Sequence, residues 1–378
     1  MFKFSAVSSG IKKNNQLDLG LIFSEKPFSA WGVFTKNKVK SAPVLYSLDS
    51  LAKYKKFQVI IVNSGNANAC TGNEGILTCY EIEKEIRKIF SLNDDIGILQ
   101  ASTGVIGVKL PKEKIINKIF FLKENLNQEN YLDFAKAIMT TDNELKVYEF
   151  KDKDFYILGI AKGAGMIHPN MATMLGFIFT DAKVKLMGRI FKEIIDETFN
   201  SISVDGDTST NDTVFLCSLE KKEIDAKRFK LALFEVCDNL AKMIVKDGEG
   251  ATKFIKILVT QAKSNLDAKK ICEKIATSLL VKTAFFGSDP NWGRILSAIG
   301  NSGAYFDKDK ITIYFGRNKV VENGVEAEGF NENKVIEYLK NNREIDLIIN
   351  LNIGDGSWKY YTCDLSYEYV KINAEYRT

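Results

Sequence analysis

The sequence contains a single histidine, His168. A Ser-His-Asp triad or a histidine metal site would therefore rest wholly on that residue, and cysteines spaced to hold zinc are absent. His168 precedes Pro169, where it can shape a turn. Histidine is also the commonest general base, so a catalytic use stays open beside that one. The six cysteines, Cys70, Cys79, Cys217, Cys237, Cys272 and Cys363, form no Cys-x-x-Cys pair. With no apolar leader at Met1-Phe2-Lys3-Phe4-Ser5, they are expected to be reduced core residues of a cytoplasmic protein. No hydrophobic run approaches the length of a membrane span. Nor is there a block of one charge: 52 basic and 48 acidic residues are mixed along the chain for a net +4, which argues against nucleic acid as the main partner. The Walker A string does not occur. A dinucleotide fingerprint fails at Gly163-x-Gly165, because His168 stands in place of the third glycine and a strand follows instead of a helix.

What remains is an ordinary soluble composition, 45% hydrophobic and 26% charged, over 378 residues, long enough for two domains. Periodicity predicts strands over 57–62, 96–101, 213–219, 253–260, 311–315, 346–351 and 357–371. Helices are expected over 75–90, 112–126, 128–139, 186–202, 226–245, 267–281 and 332–340, with a short one ending at Ile299. Residues 146–150 and 155–160 read as a hairpin. The apolar run from Leu175 reads as a buried strand. No segment is of low complexity and no exact repeat is present. The fold class is α/β, in mixed α and β layers with at least one buried sheet.

Five loops of small residues, hydroxyls and amides follow strands or precede helices: 63–72, 102–107, 161–173, 205–212 and 247–252. Such loops expose backbone amides that can bind an oxyanion or a carboxylate, and each can equally be a structural turn. The third places Lys162 and two glycines just upstream of Thr173, at the mouth of a buried strand. Thr173 reads either as a turn residue or as a nucleophile beside its activators. If the Ala172–Thr173 bond were cut, the freed α-amine would titrate near ~8 next to its own hydroxyl and could serve as the base. One residue would then supply both roles in a chain with one histidine.

Taken in order, these loops resemble the glutamate N-acetyltransferase (ornithine acetyltransferase) family of arginine biosynthesis. The likeness runs through Gly32-Val33-Phe34-Thr35-Lys36-Asn37, Val62-Asn63-Ser64-Gly65-Asn66-Ala67-Asn68-Ala69 and Ser102-Thr103-Gly104-Val105-Ile106-Gly107. It continues through Met139-Thr140-Thr141-Asp142, residues 161–175, Asn200-Ser201-Ile202-Ser203-Val204-Asp205-Gly206-Asp207 and Asp247-Gly248-Glu249-Gly250-Ala251-Thr252-Lys253. Ser288-Asp289-Pro290-Asn291-Trp292-Gly293-Arg294 and the tail from Ile372 to Thr378 complete it.

The resemblance implies a precursor that cuts itself between Ala172 and Thr173 into an α chain (1–172) and a β chain (173–378), assembled as an α2β2 heterotetramer. It implies transfer of acetyl from N2-acetyl-L-ornithine to L-glutamate through an acetyl-threonine on Thr173. Thr103 and Gly104 fall at the family's oxyanion hole, and Thr140, Lys162, Thr173, Glu249, Asn373 and Thr378 at its substrate-binding positions. Lys162 suits a substrate α-carboxylate and Glu249 an amine. No metal or cofactor is implied; acetyl-CoA enters as a co-substrate in those members that are bifunctional. The alternatives are a self-cleaving aminopeptidase-type hydrolase, in which water accepts the acyl group, and a small-molecule binding protein whose chain stays intact.

Overall fold

The computed structural model of the chain describes residues 1–168 and 174–375, which pack as two compact units. The first comprises Met1–Gly163, residues 174–200 and Asp207–Leu240; the second comprises Ala164–His168, Ser201–Gly206 and residues 241–375.

The strands of the first unit are β1 (Lys3–Val7), β2 (Leu19–Phe34), β3 (Lys56–Asn63), β4 (Ile96–Ser102), β5 (Lys146–Lys151), β6 (Tyr156–Lys162) and β7 (Leu175–Lys183). After β8 (Ile202–Ser203), which belongs to the second unit, comes β9 (Thr213–Glu223). They form one mixed sheet in the order β4-β3-β2-β9-β7-β6-β5, with β1 also on β2. β3 and β4 run parallel, as do β7 and β9; the other pairs are antiparallel. β2 joins the two halves. Leu19–Phe23 pairs with β3 and Ser29–Phe34 with β9, and the register shifts across Glu25-Lys26-Pro27, an exposed stretch where proline cannot donate to a ladder.

Alternation along these strands fills both faces of the sheet. Ile60 and Val62 join an aromatic core with Phe28, Phe57, Phe134, Phe177 and Phe215, while Val59 and Ile61 join an aliphatic one with Ile82, Ile86, Ile119 and Leu122. The helix Tyr131–Ile138 covers the aromatic face. Its Phe134 ring lies against Gly20, where a Cβ would come within 2.6 Å, and meets Phe177 edge-on at 5.3 Å.

The second unit carries β8 together with β10 (Phe254–Ala262), β11 (Thr312–Phe315), β12 (Asn318–Glu322), β13 (Val325–Glu326), β14 (Glu344–Asn350) and β15 (Gly356–Cys363). Their order is β13-β12-β11-β14-β10-β15-β8. Ile255, Ile257 and Val259 of β10 and Ile345, Leu347 and Ile349 of β14 point to one side, into the helices Asn265–Ala276, Leu279–Phe286, Trp292–Gly300 and Glu332–Asn341. Ser264, Ser278, Asn291 and Asn331 cap those four helices by accepting a backbone N–H three residues on. The Ser288–Arg294 loop is thereby a helix cap, and Arg294 also donates to the Leu280 carbonyl (2.8 Å).

The expected α/β class holds, as does the hairpin that became β5 and β6. The run from Leu175 is β7, buried between β9 and β6. Several boundaries differ. The helix expected over 112–126 breaks into Lys112–Ile116 and Ile119–Glu124, with Lys118 N–H tightening onto Ile115. That over 186–202 stops at Glu197, because Ile202 is taken into the second sheet. That over 267–281 ends at Ala276, and Ser278 opens a new helix. The strand expected over 357–371 ends at Cys363: the Asp364 carboxylate accepts the N–H groups of Thr252 and Lys253, and a helix, Tyr367–Ala374, follows. β1, β2 and the helix Ala42–Lys53 were not anticipated. All six cysteines are free thiols; five are buried as expected, and Cys70 is exposed. Among the described residues no helix is long and apolar enough to cross a membrane.

Removing the ring that seats this sheet should be costly. Phe134→Ala is expected to lower stability by about 3–5 kcal/mol, read from the urea midpoint. Phe120→Ala, at an exposed ring in the same unit, should stay within about 0.5 kcal/mol of the parent.

Candidate active site

The first unit gathers Lys162, Thr103 and Thr140 at one place. Lys162, the last residue of β6, is buried, and its Nζ donates to Thr140 Oγ1 at 2.7 Å and to Thr103 Oγ1 at 3.3 Å. Behind it lies Asp142, whose carboxylate is sealed from solvent. Asp142 Oδ1 accepts from Lys146 Nζ (2.8 Å) and from the Gly163 N–H (2.5 Å); Oδ2 accepts the Thr140 N–H (3.0 Å) and sits 3.8 Å from Lys162 Nζ. Burial pushes the Asp142 carboxyl up, but the Lys162 and Lys146 ammonium groups outweigh it and hold the carboxyl well below the usual carboxylate range. One carboxylate thus serves two ammonium groups.

Thr103 is fixed by three of the loops singled out above. Its N–H donates to the Asn63 carbonyl (3.0 Å), and Asn63 Oδ1 accepts the Ser102 hydroxyl (2.6 Å). Asn211, itself buried, donates to the Ala67 and Ser102 carbonyls at 2.6 and 2.8 Å. Gly104 follows at φ +129°, pressed so closely on the neighbouring loop that a Cβ would lie 2.3 Å from the Gly65 carbonyl carbon. No other residue type fits there. Because the Thr103 N–H is committed, what Thr103 can offer an oxyanion is its hydroxyl proton; Lys162 occupies the oxygen from the other side.

In the second unit Glu249 and Asn373 meet. Asn373 Nδ2 donates to Glu249 Oε2 at 2.8 Å, from the helix Tyr367–Ala374. Glu249 is buried, its N–H donates to the Ala164 carbonyl, and a Cβ on Gly165 would lie 2.2 Å from its carboxyl carbon. The same unit pins the segment ahead of Pro169. Asp205 accepts the N–H groups of Met166 (2.6 Å) and Ile167 (2.9 Å), and Val204 donates to the Ile167 carbonyl. His168 Nε2 lies 3.2 Å from Glu273, whose carboxyl is lowered chiefly by that hydrogen bond.

The structure therefore brings Thr103, Thr140 and Lys162 together in one unit and Glu249 with Asn373 in the other. Ala172, Thr173 and Thr378 lie outside the described residues. Asp142, Lys146, Asn63, Asn211 and Asp205 carry much of the geometry and were not singled out as site residues. Asp142 had one signal, its place beside Thr140-Thr141 at a helix end; Lys146, four residues on, had none beyond that proximity. Among the described residues no group of three or more histidine, cysteine or acidic side chains could hold a metal ion.

Comparison with known proteins gives the family of the chain. A family model described as ArgJ family matches residues 3–378. The chain is 45% identical over 395 residues to a protein of Caldanaerobacter subterraneus named arginine biosynthesis bifunctional protein ArgJ, covering 100% of this chain and 97% of that one. It is 44% identical over 387 residues to a protein of Methanocaldococcus jannaschii named glutamate N-acetyltransferase, covering 97% and 95%. A crystal structure of arginine biosynthesis bifunctional protein argJ from Bacillus halodurans is similar at TM-score 0.51 and 40% identity, over 53% of this chain and 99% of that chain.

The buried carboxylate gives the site an acid sensitivity of defined sign. Asp142 is depressed in the folded state, so its stabilisation is present above the unfolded value near ~3.9 and is lost as pH falls through that value towards the folded one. Asp142→Asn should cost about 3–5 kcal/mol at neutral pH, because two buried ammonium groups lose their counter-charge, and it should flatten the loss of stability on acidification in pH-dependent denaturation.

Proposed function

The chain belongs to the ArgJ family, and on that footing we propose that it transfers the acetyl group of N2-acetyl-L-ornithine to L-glutamate through an ester on Thr173. The observation that carries the reading is the Lys162–Thr103–Thr140 array and its register. Lys162 is the sheet partner of Leu175, so the connection holding Ala172 and Thr173 leaves and re-enters the sheet at one rung. Thr173 is joined to that rung through Met174 alone.

A cut after Ala172 frees the Thr173 α-amine, which takes the proton of its own hydroxyl as the oxygen attacks the acetyl carbonyl. Charge develops on the carbonyl oxygen, where the Thr103 hydroxyl and the Gly104 amide donate. The C–N bond then breaks, ornithine leaves with the proton, and the acetyl group stays on Thr173. The amine of glutamate attacks this ester along the same path; its proton returns to the threonine oxygen and N-acetylglutamate departs. Lys162 receives the α-carboxylate common to both amino acids, with Thr140 holding it in place. Glu249, Asn373 and Thr378 are the further substrate contacts, Glu249 answering an amine.

The cut has support in the comparison: the Bacillus halodurans chain is matched over 99% of its length by 53% of this one, and a break after Ala172 leaves a C-terminal piece a little over half the chain. The α chain 1–172 and β chain 173–378 would stay joined, because β6 and β7 pair across the break. The α2β2 assembly is part of the same reading. Acetyl-CoA as a second donor is supported by the bifunctional name of relatives at 45% identity, whereas a relative at 44% is named for a single activity.

Purified protein should run as two bands on a denaturing gel, and Thr173→Ala as one full-length band without transfer. A single full-length band that retains acetyl transfer would refute the reading. Steady-state rates with each donor decide the second activity: N-acetylglutamate formed from acetyl-CoA marks a bifunctional enzyme, and its formation from acetylornithine alone a single-function one.

A further inference from the structure

Ahead of β2 the chain wraps around one carboxylate. Asp18 is fully buried and accepts the backbone N–H groups of Ser9 (2.6 Å), Ile11 (2.7 Å) and Lys12 (2.9 Å). The wrapped segment rests on Gly65, where a Cβ would meet Ile11 Cγ2 at 3.0 Å and Lys12 Cγ at 3.1 Å. Gly65 is the residue against which Gly104 is pressed, so Lys12 packs on the backbone that backs the Thr103–Gly104 turn.

The Lys12 side chain then turns to the other half of the site. Its Nζ donates to the Leu17 carbonyl (3.1 Å) and to the Met139 carbonyl (2.6 Å). Met139 is the C-cap of the helix Tyr131–Ile138, a position where a cation is favoured by the exposed carbonyls. It is also the residue whose peptide leads into Thr140, the hydroxyl that takes the 2.7 Å hydrogen bond from Lys162. Lys12 is thereby bonded to the segment that presents Thr140 and packed on the segment that presents Gly104.

We propose that Lys12 is a positioning residue for acetyl transfer, its charged ammonium holding the Met139–Thr140 peptide so that Thr140 and Lys162 meet the substrate carboxylate. This rests on the acetyl-transfer reading above. The charged groups that face Lys12 are Asp18 ahead of β2, Lys162 at the end of β6 and Asp142 in the turn after the helix. Burial lowers the Lys12 ammonium, Asp18 and Asp142 oppose the change and Lys162 adds to it, bringing it to about 8. Lys12 is then charged below about pH 8 and loses its proton above it. The positioning hydrogen bond weakens as pH rises through that value. The freed Thr173 α-amine acts in the opposite sense, being active when deprotonated, so it sets an acid limb and Lys12 an alkaline one.

The test is kcat/KM for acetyl transfer from neutral to alkaline pH in the parent, Lys12→Met and Lys12→Arg. The parent should lose activity above about pH 8. Lys12→Met should be slower at its best pH by about tenfold to a hundredfold, as expected when a binding group is misplaced, and should lack that alkaline limb. Lys12→Arg, always charged, should recover most of the activity and move the limb to higher pH. An alkaline limb near pH 8 that persists in Lys12→Met, or one that does not move in Lys12→Arg, overturns the proposal, as does Lys12→Met with the parent's kcat/KM. A parent chain that transfers no acetyl group fails the underlying reading instead, before any variant is compared.

Discussion

A carboxylate sealed from water and shared by two ammonium groups is the constraint around which the first unit is built. Asp142 cannot be buried alone, and neither can Lys146 or Lys162. Satisfying all three fixes the turn after the helix Tyr131–Ile138, the start of β5 and the end of β6 to one another. The same carboxylate takes the Thr140 and Gly163 N–H groups, so the backbone on both sides of the candidate site is set by one residue. Lys162 is left aimed at two hydroxyls, an arrangement suited to receiving a carboxylate and steadying an acyl group beside it.

The sheet converts that local arrangement into a site. β7 enters at the rung of Lys162, and β9 beside it leads back to Asn211, which ties down the loop carrying Thr103. Gly104 and Gly65 permit the two loops to touch at a distance that any side chain would forbid. The second unit, taken by itself, carries a different device, a buried carboxylate on Glu249 seated over Gly165 and held by Asn373.

How much of this could be read from residues alone varies with range. β7 and the hairpin of β5 and β6 were legible because their periodicity is local. β2 was not, since Glu25-Lys26-Pro27 interrupts the pattern of a strand that serves two neighbours in turn. The strand read through 357–371 overshot because Tyr367, Tyr369 and Val370 have strand-like side chains, and what ends the strand is a hydrogen bond from Thr252, more than a hundred residues away. At the site, Thr103, Thr140, Lys162, Glu249 and Asn373 were named from a family likeness and fall into two clusters. Asp142, Lys146, Asn211 and Lys12 were not: Lys162 reaches Asp142, Asn211 reaches Ser102 and Lys12 reaches Met139 only when distant segments come together, and the local Asp142–Lys146 pair shows its use only beside Lys162.

The most direct test of the account is to catch the acetyl group in transit. The protein is incubated with N2-acetylornithine in the absence of glutamate, quenched in acid, digested and examined by mass spectrometry. The account predicts one acetyl group on the peptide that begins at Thr173, lost when glutamate is added. Acetyl transfer proceeding at the normal rate with that peptide unmodified, or with the acetyl group on another residue, would contradict it.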